Sequence, residues 1–226
     1  MECGERMLRF CSIIENDKYK IGCTGQTVCV LDKNDTVLSR FKDLTYAYRA
    51  AISPRGDIFV IKSTKGQIAV YSLKTMSLIE KFRFSKVNYS QDDGFCFSRD
   101  GKFLLNIARW GDDLHSAILI YDTTDFSTVS SLFPAEKIMV SHIQEVDGAY
   151  FVLGYMRNDD MVCCSFFISK YLNNDLCDVT EITKAEYDFY DEHLKQTMFG
   201  LGLSDDREIK SIHTLGKLWA LYHQNQ

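Results

Sequence analysis

The pentapeptides SPRGD, at residues 53–57, and SRDGK, at residues 98–102, are two copies of one Gly-centred turn. They lie 45 residues apart, and each precedes a β-rich run, a short polar turn, a second β-rich run and a strand that ends in Phe. Three stretches of the chain end in such a closing strand, at Thr36–Phe41, Ser77–Phe82 and Thr128–Phe133. Self-similarity at a period of about 40–50 residues, built from short strands, is typical of propeller blades. The sequence therefore predicts an all-β chain of repeated four-stranded units.

The repeat predicts a small or partial β-propeller of about four to five four-stranded antiparallel blades. A fourth unit follows at Met139–Ile168, where Gly148 lies 47 residues after Gly101, although it lacks the closing Phe. A last hairpin, with strands at 209–213 and 218–222, predicts a half-blade over about residues 208–223. We expect residues 1–226 to form a single domain, since all-β domains of this length are commonly undivided.

One segment near the C-terminus departs from the strand pattern. Thr183 and Glu186 have the spacing of a capping box, and Tyr190, Leu194 and Met198 recur at every fourth position. This pattern predicts a helix over residues 184–198, within a helical insertion at about 183–200.

The Ser-Pro-x-Gly turn and the dipeptides that close the third strands resemble the WD40 repeat family. The dipeptides are Leu31-Asp32 and Tyr121-Asp122. The resemblance covers roughly residues 18–170 and implies a toroid of blades that serves as a rigid interaction platform. The units contain neither the family's Gly-His pair nor its Trp-Asp pair, so its buried hydrogen-bond network is not carried over.

The repeat leaves two arrangements open. In a closed ring, which we favour, the C-terminal hairpin joins an N-terminal strand at Met7–Ile13 to complete a blade. In an open arc, exposed blade edges pair with a second copy or with another chain.

Charge distribution and cysteine usage indicate which partners and which cellular compartment are expected. The first 90 residues carry fifteen basic and nine acidic side chains, whereas residues 91–226 carry eleven and twenty-two. The basic residues do not cluster with aromatic ones, so nucleic acid is not a favoured partner. No signal peptide and no apolar run of about 20 residues is visible, so we expect no membrane association. The eight cysteines lie mostly in apolar strands, as expected of buried thiols in the cytoplasm.

Catalytic motifs are absent from the sequence. There is no CxxC, nucleophile elbow or phosphate-binding loop, so we predict no catalytic, cofactor-binding or metal-binding residues. We interpret His142 as a structural histidine on a strand. The run from Asp191 to His193 has the residue types of an acid/base cluster, but adjacent helix positions do not face one another, so we favour a solvated acidic face of the helix. Acidic pairs at 92–93, 112–113 and 159–160 leave one alternative, a metal-dependent propeller hydrolase. Asp is also common in turns because it caps backbone amides, which favours a structural role.

A polar loop inserted into the third unit is the candidate partner-binding site. It contains Arg109, Trp110, Asp112 and Asp113. Trp and Arg are frequent anchors of protein interfaces. The sequence thus favours a non-enzymatic protein–protein interaction module, or scaffold, that presents propeller-face loops to a protein partner.

Overall fold

The computed structural model describes residues 10–84, 94–110, 115–133, 138–146, 148–158, 162–172 and 175–199. Within these ranges the chain forms short antiparallel strands followed by one helix. The elements are β1 (Ser12–Glu15), β2 (Lys20–Cys23), β3 (Val28–Leu31), β4 (Val37–Phe41), β5 (Ala47–Ile52), β6 (Ile58–Ser63), β7 (Gln67–Ser72), β8 (Ser77–Arg83), β9 (Phe95–Phe97), β10 (Phe103–Trp110), β11 (His115–Asp122), β12 (Thr128–Leu132), β13 (Ile138–Val146), β14 (Ala149–Arg157), β15 (Cys163–Leu172), β16 (Asp175–Ile182) and α1 (Lys184–Phe199).

The described strands form four sheets, and each sheet consists of four consecutive strands that pair in sequence order. These sheets are blades 1 to 4, beginning with β1, β5, β9 and β13. The first strands of successive blades contact one another, so they line the centre, and the fourth strands lie at the rim. The predicted all-β partial propeller with one helix near the C-terminus is confirmed.

The two repeated turns adopt the same hydrogen-bonded geometry. Gly56 N–H donates to the carbonyl of Ser53, and Gly101 N–H donates to that of Ser98, each at 2.8 Å. Both glycines have a positive φ, 67° and 70°, which a residue with a Cβ adopts only under strain. The glycine signal in the sequence therefore reports a real backbone requirement.

A second repeated feature is a β-bulge between the third and fourth strands of every blade. The register shifts beside Leu31, Tyr71, Tyr121 and Tyr171. The fourth blade thus closes like the others, although its closing strand, Asp175–Ile182, has no terminal Phe and was not predicted. Asp175–Ile182 forms a strand because it pairs with β15, and not because its own composition favours a strand.

Apolar side chains fill the space between neighbouring blades. One core joins blades 1 and 2, a second joins blades 2 and 3, and a third joins blades 3 and 4. The first contains a stacked pair, Phe59 and Tyr71, with ring centroids 4.9 Å apart. Because strand side chains alternate in direction, each blade contributes opposite faces to two different cores.

The helix occupies the side of blade 4 where a further blade would pack. Thr183 caps it, since its Oγ1 accepts a hydrogen bond from Glu186 N–H at 3.2 Å. Tyr187 and Tyr190 pack on Leu153 and Ile168 in a fourth core. The helix contacts β13 and β15 of blade 4 and also β1 of blade 1, so it spans the open end of the arc.

Of the predicted N-terminal strand at Met7–Ile13, residues 7–9 lie outside the described residues. The strand begins at Ser12 and pairs with β2, so blade 1 takes four strands from residues 12–41 alone. The predicted half-blade at 208–223 lies outside the described residues. Among the residues that the structure does describe, no helix combines the length and apolar character needed to span a bilayer.

Candidate functional site

The blades present two faces, which differ in the strand connections that they carry. The turn face carries the connections between first and second strands, including residues 53–57 and 98–102. The loop face carries the connections between second and third strands and those between blades. Since neighbouring strands alternate in direction, the second strand of each blade runs from the turn face to the loop face.

The predicted partner-binding loop lies at the end of such a strand. β10 starts just after the turn at 98–102 and ends at Arg109 and Trp110, which pair with Ser116 and His115 of β11. Arg109 is half-buried. Both residues are therefore at the loop face, whereas Asp112 and Asp113 lie outside the described residues.

The loop face also carries an exposed aromatic side chain that sequence reasoning missed. Tyr46 is 55% exposed and has a positive φ of 57°. Its carbonyl accepts a hydrogen bond from Thr64 N–H at 3.1 Å, and the Lys65 Nζ lies 5.0 Å from its ring centroid. The positive φ constrains the backbone at Tyr46, and the Lys65 cation beside its ring adds a contact worth about 0.5–1 kcal/mol at an exposed site.

A cavity of about 650 Å³ opens at the centre of the turn face. Residues from the first strands of all four blades line it. Its walls carry both signs of charge: Glu15, Asp17 and Lys18 from blade 1, Arg49 and Arg55 from blade 2, and Glu145 from blade 4. No sequence motif could reveal this cavity, because its residues come from four distant segments.

Cys96 lies in the wall of the cavity. Burial raises the pKa of its thiol to about 12, and the nearby Arg49 guanidinium only partly offsets that effect. A thiol with such a pKa stays protonated at neutral pH and is a poor nucleophile. Cys96 is therefore unsuited to nucleophilic chemistry in this cavity.

The two repeated turns meet beside this cavity. Arg55 forms an ion pair with Asp57, with Nε and Oδ2 3.3 Å apart, and donates a hydrogen bond to Thr123 Oγ1 at 3.2 Å. The Thr123 hydroxyl in turn donates to the carbonyl of Gly101 at 2.7 Å. These bonds connect blade 2 to blade 3 across the turn face.

The histidine interpretation is partly confirmed and partly wrong. His142 is 2% exposed, and its Nε2 lies 2.9 Å from Asp191 Oδ1 on the helix, which agrees with a structural role. Asp191 is therefore not part of a solvated acidic face, because it turns inward to the blade. The side chain of His193 is outside the described part of the chain.

The acidic pairs at 92–93, 112–113 and 159–160 also lie outside the described residues. Within the residues that are described, no three His, Cys, Asp or Glu side chains are placed to share a metal ion.

Comparison with solved structures supports the propeller fold. The chain is similar to the hydrazine synthase of Kuenenia stuttgartiensis, with a TM-score of 0.61 at 12% identity, covering 81% of this chain and 53% of that one. It is similar to the WD40 domain of Toxoplasma gondii coronin, with a TM-score of 0.57 at 14% identity, covering 77% and 45%. It also matches the Neurospora crassa Pan2 WD40 domain, with a TM-score of 0.56 at 9% identity, covering 76% and 52%. The fold is WD40-like, and the matched region spans about half the length of these chains.

The sequence matches no protein-family model, and no curated protein matches it.

Proposed function

We propose that this chain is a non-enzymatic interaction module that binds a protein partner through its loop face. The observation that carries this proposal is Tyr46, a large aromatic side chain that is more than half exposed and has the Lys65 ammonium group beside its ring. It lies on the same face as the strand end at Arg109 and Trp110. Tyr, Trp and Arg are the residue types most enriched among interface anchors.

The WD40-like neighbours support the scaffold role at the level of fold. A rigid disc holds loops from separate blades at constant spacing, so a partner that contacts several loops meets an already ordered surface. We retain the single-domain assignment for residues 1–226 as part of this proposal. The metal-dependent hydrolase is not carried forward, because no observation favours it.

We infer a cytoplasmic location from the thiols. Cys11, Cys23, Cys29, Cys96 and Cys163 are all free. Free cysteines in this number are expected of a reducing compartment.

The loop-face proposal is tested by comparing tagged full-length variants in quantitative affinity purification from cells. Tyr46→Ala, Trp110→Ala and Asp112→Ala should each reduce capture of the same partner, by about tenfold for an anchor worth 1.4 kcal/mol. Val129→Ala is the matched control, since Val129 is 50% exposed but lies at the rim on β12. A saturable partner whose capture survives all three substitutions would contradict the proposal.

A further inference from the structure

Blade 1 has one sheet surface that faces no other blade. We call it the outer flank and define it by Ile13, Gly22, Cys29, Leu31 and Arg40. Four of these residues form one row across the blade, since Ile13 pairs with Gly22, Gly22 with Cys29 and Cys29 with Arg40. Val28 and Val30, the neighbours of Cys29 in β3, point the other way into the core shared with blade 2.

The middle of the outer flank is buried although it belongs to none of the four cores. Cys29 is 0% exposed and Leu31 is 4% exposed, whereas Ile13 is 37% exposed and Arg40 is exposed. Neither Cys29 nor Leu31 is a member of the clusters that join the blades or dock the helix. Their burial occurs within a single copy of the chain, so the cover is intramolecular.

Phe10 supplies part of this cover. A Cβ placed on Gly22 would lie 2.4 Å from the Phe10 ring, so the ring rests on that glycine. This contact places the half-buried Phe10 ring at the Gly22 position of the row. Residues 1–9, which precede it, include four charged side chains and are poorly suited to cover an apolar strand.

The C-terminal residues have the length, the starting point and the composition needed to cover the outer flank. The helix contacts both blade 4 and β1 and ends at Phe199, which leaves 27 residues. Within them, Ile209–His213 and Leu218–Tyr222 predict a β-hairpin. An isolated hairpin is at best marginally stable in water and needs an apolar surface to pack on.

We propose that residues 200–226 dock on the outer flank of blade 1 and complete the ring between the helix and that blade. This assignment is independent of the loop-face function. It has a functional consequence: if the chain covers its own open end, partners contact the loop face or the turn face instead.

Two buried cysteines on opposite surfaces of blade 1 make the proposal testable. Cys29 lies on the outer flank, and Cys23, also 0% exposed, lies in the core shared with blade 2. Pulsed alkylation of the full-length chain with iodoacetamide, followed by peptide mass spectrometry, measures both in one sample. Trp219→Asp should raise Cys29 labelling by roughly tenfold or more and leave Cys23 protected, because only the flank opens. Trp219→Phe is the matched control and should keep Cys29 protected.

Unchanged protection of Cys29 in the Trp219→Asp variant would overturn the proposal. Exposure of Cys29 by Met7→Asp alone would also overturn it, because the N-terminal residues would then be the cover. Simultaneous labelling of Cys23 would mean that blade 1 had unfolded, and a second measurement then decides.

That measurement is photo-cross-linking in the otherwise unaltered full-length chain. A benzophenone amino acid at Arg40 should cross-link to peptides from residues 200–226 of the same copy. The same probe at Val129, on blade 3, should not. Cross-links from Arg40 only to residues 1–9, only between two copies, or to no peptide of the chain would each overturn the proposal.

Discussion

The junction between blades 2 and 3 and the junction between blade 4 and the helix solve the same packing problem differently. The first buries aliphatic side chains of two sheets, including Val60, Val70 and Leu104, all fully buried. The second relies on aromatic rings, with Tyr187 4.8 Å from Phe166 between centroids, and on the polar contact between His142 and Asp191. Both junctions bury apolar side chains and contain hydrogen bonds, so they differ chiefly in the element that blade 3 or the helix presents to the neighbouring sheet.

The blade 2–blade 3 junction also contains a buried polar contact, in addition to the Arg55 and Thr123 hydrogen bonds at the turn face. Lys62 is 0% exposed, and its Nζ donates to the carbonyl of Ile107 at 2.6 Å and lies 4.7 Å from the Phe84 ring centroid. A buried ammonium group requires such partners, since desolvation without them costs several kcal/mol. The contact also ties blade 2 to the backbone of blade 3.

Leu104→Ala should have the largest effect, because it opens a cavity in the blade 2–blade 3 core. We expect the free energy of unfolding, measured by urea denaturation, to fall by about 2–5 kcal/mol. Val129→Ala, at an exposed rim position, should change it by no more than about 0.5 kcal/mol. A loss below about 1 kcal/mol for Leu104→Ala would mean that this core is not the main source of stability.

Asp191→Ala should have a smaller and more local effect at the helix junction. Removing a hydrogen-bond partner of the buried His142 ring should cost about 1–3 kcal/mol. Hydrogen exchange should speed up in α1 and remain slow in β6 and β7. The control is Asp188→Ala, since Asp188 forms only an exposed pair with Lys184, with Nζ and Oδ2 2.5 Å apart. Equal effects of the two substitutions would remove the distinction between the junctions.

The two turn glycines offer a matched pair at the blade 2–blade 3 junction. Alanine at Gly56 or Gly101 should cost at least about 1 kcal/mol, because both have a positive φ. Gly101→Ala should cost more, since its Cβ would lie 3.1 Å from Ser53 Oγ and 3.2 Å from Arg55 Nε, whereas nothing lies within 4 Å of a Cβ at Gly56. Thermal unfolding of both variants, and of Gly101→Ala combined with Arg55→Ala, measures the crowding. If Gly101→Ala lowers the thermal stability equally with and without the Arg55 side chain, then Arg55 does not crowd the alanine Cβ.

Alkaline pH should weaken both junctions. Burial raises the pKa of Tyr121, in the blade 2–blade 3 core, to about 12, and burial also raises the pKa of Tyr187 on the helix. Each phenol stays protonated in the folded chain but ionises near pH 10 in the unfolded chain, so stability is complete below pH 10 and falls as pH rises towards 12. At pH 11 one such group should cost about 1 kcal/mol. Urea denaturation at pH 8 and 11 should show a smaller loss for Tyr121→Phe than for the wild type. An equal loss in both proteins would exclude this tyrosine as a contributor.

Prediction from sequence succeeded where the signal is local. The turn at Ser53–Asp57 and the capped start of the helix at Thr183 depend on neighbouring residues, and both are observed. Prediction failed for the closing strand of blade 4, because Asp175–Ile182 is half polar and becomes a strand by pairing with β15. It also failed for Asp191, whose partner lies 49 residues away in the sequence.

The candidate loop at 109–113 was assigned from residue types alone, and the structure adds only that Arg109 and Trp110 lie on the loop face. The exposed Tyr46 and the central cavity could not have been predicted, since exposure and enclosure depend on which segments meet.

Local signals specify the repeated turns, the start of the helix and the strands of the first three blades, because glycine conformation, capping and backbone propensity act within a few residues. That the four blades share three apolar cores, and that the helix packs against blade 4 and reaches blade 1, depends on contacts between segments distant in the sequence. The physical reason is that burial depends on the distance between segments in space. Alternation along a strand specifies that a residue faces one side, but the neighbouring sheet or helix determines what that side contacts.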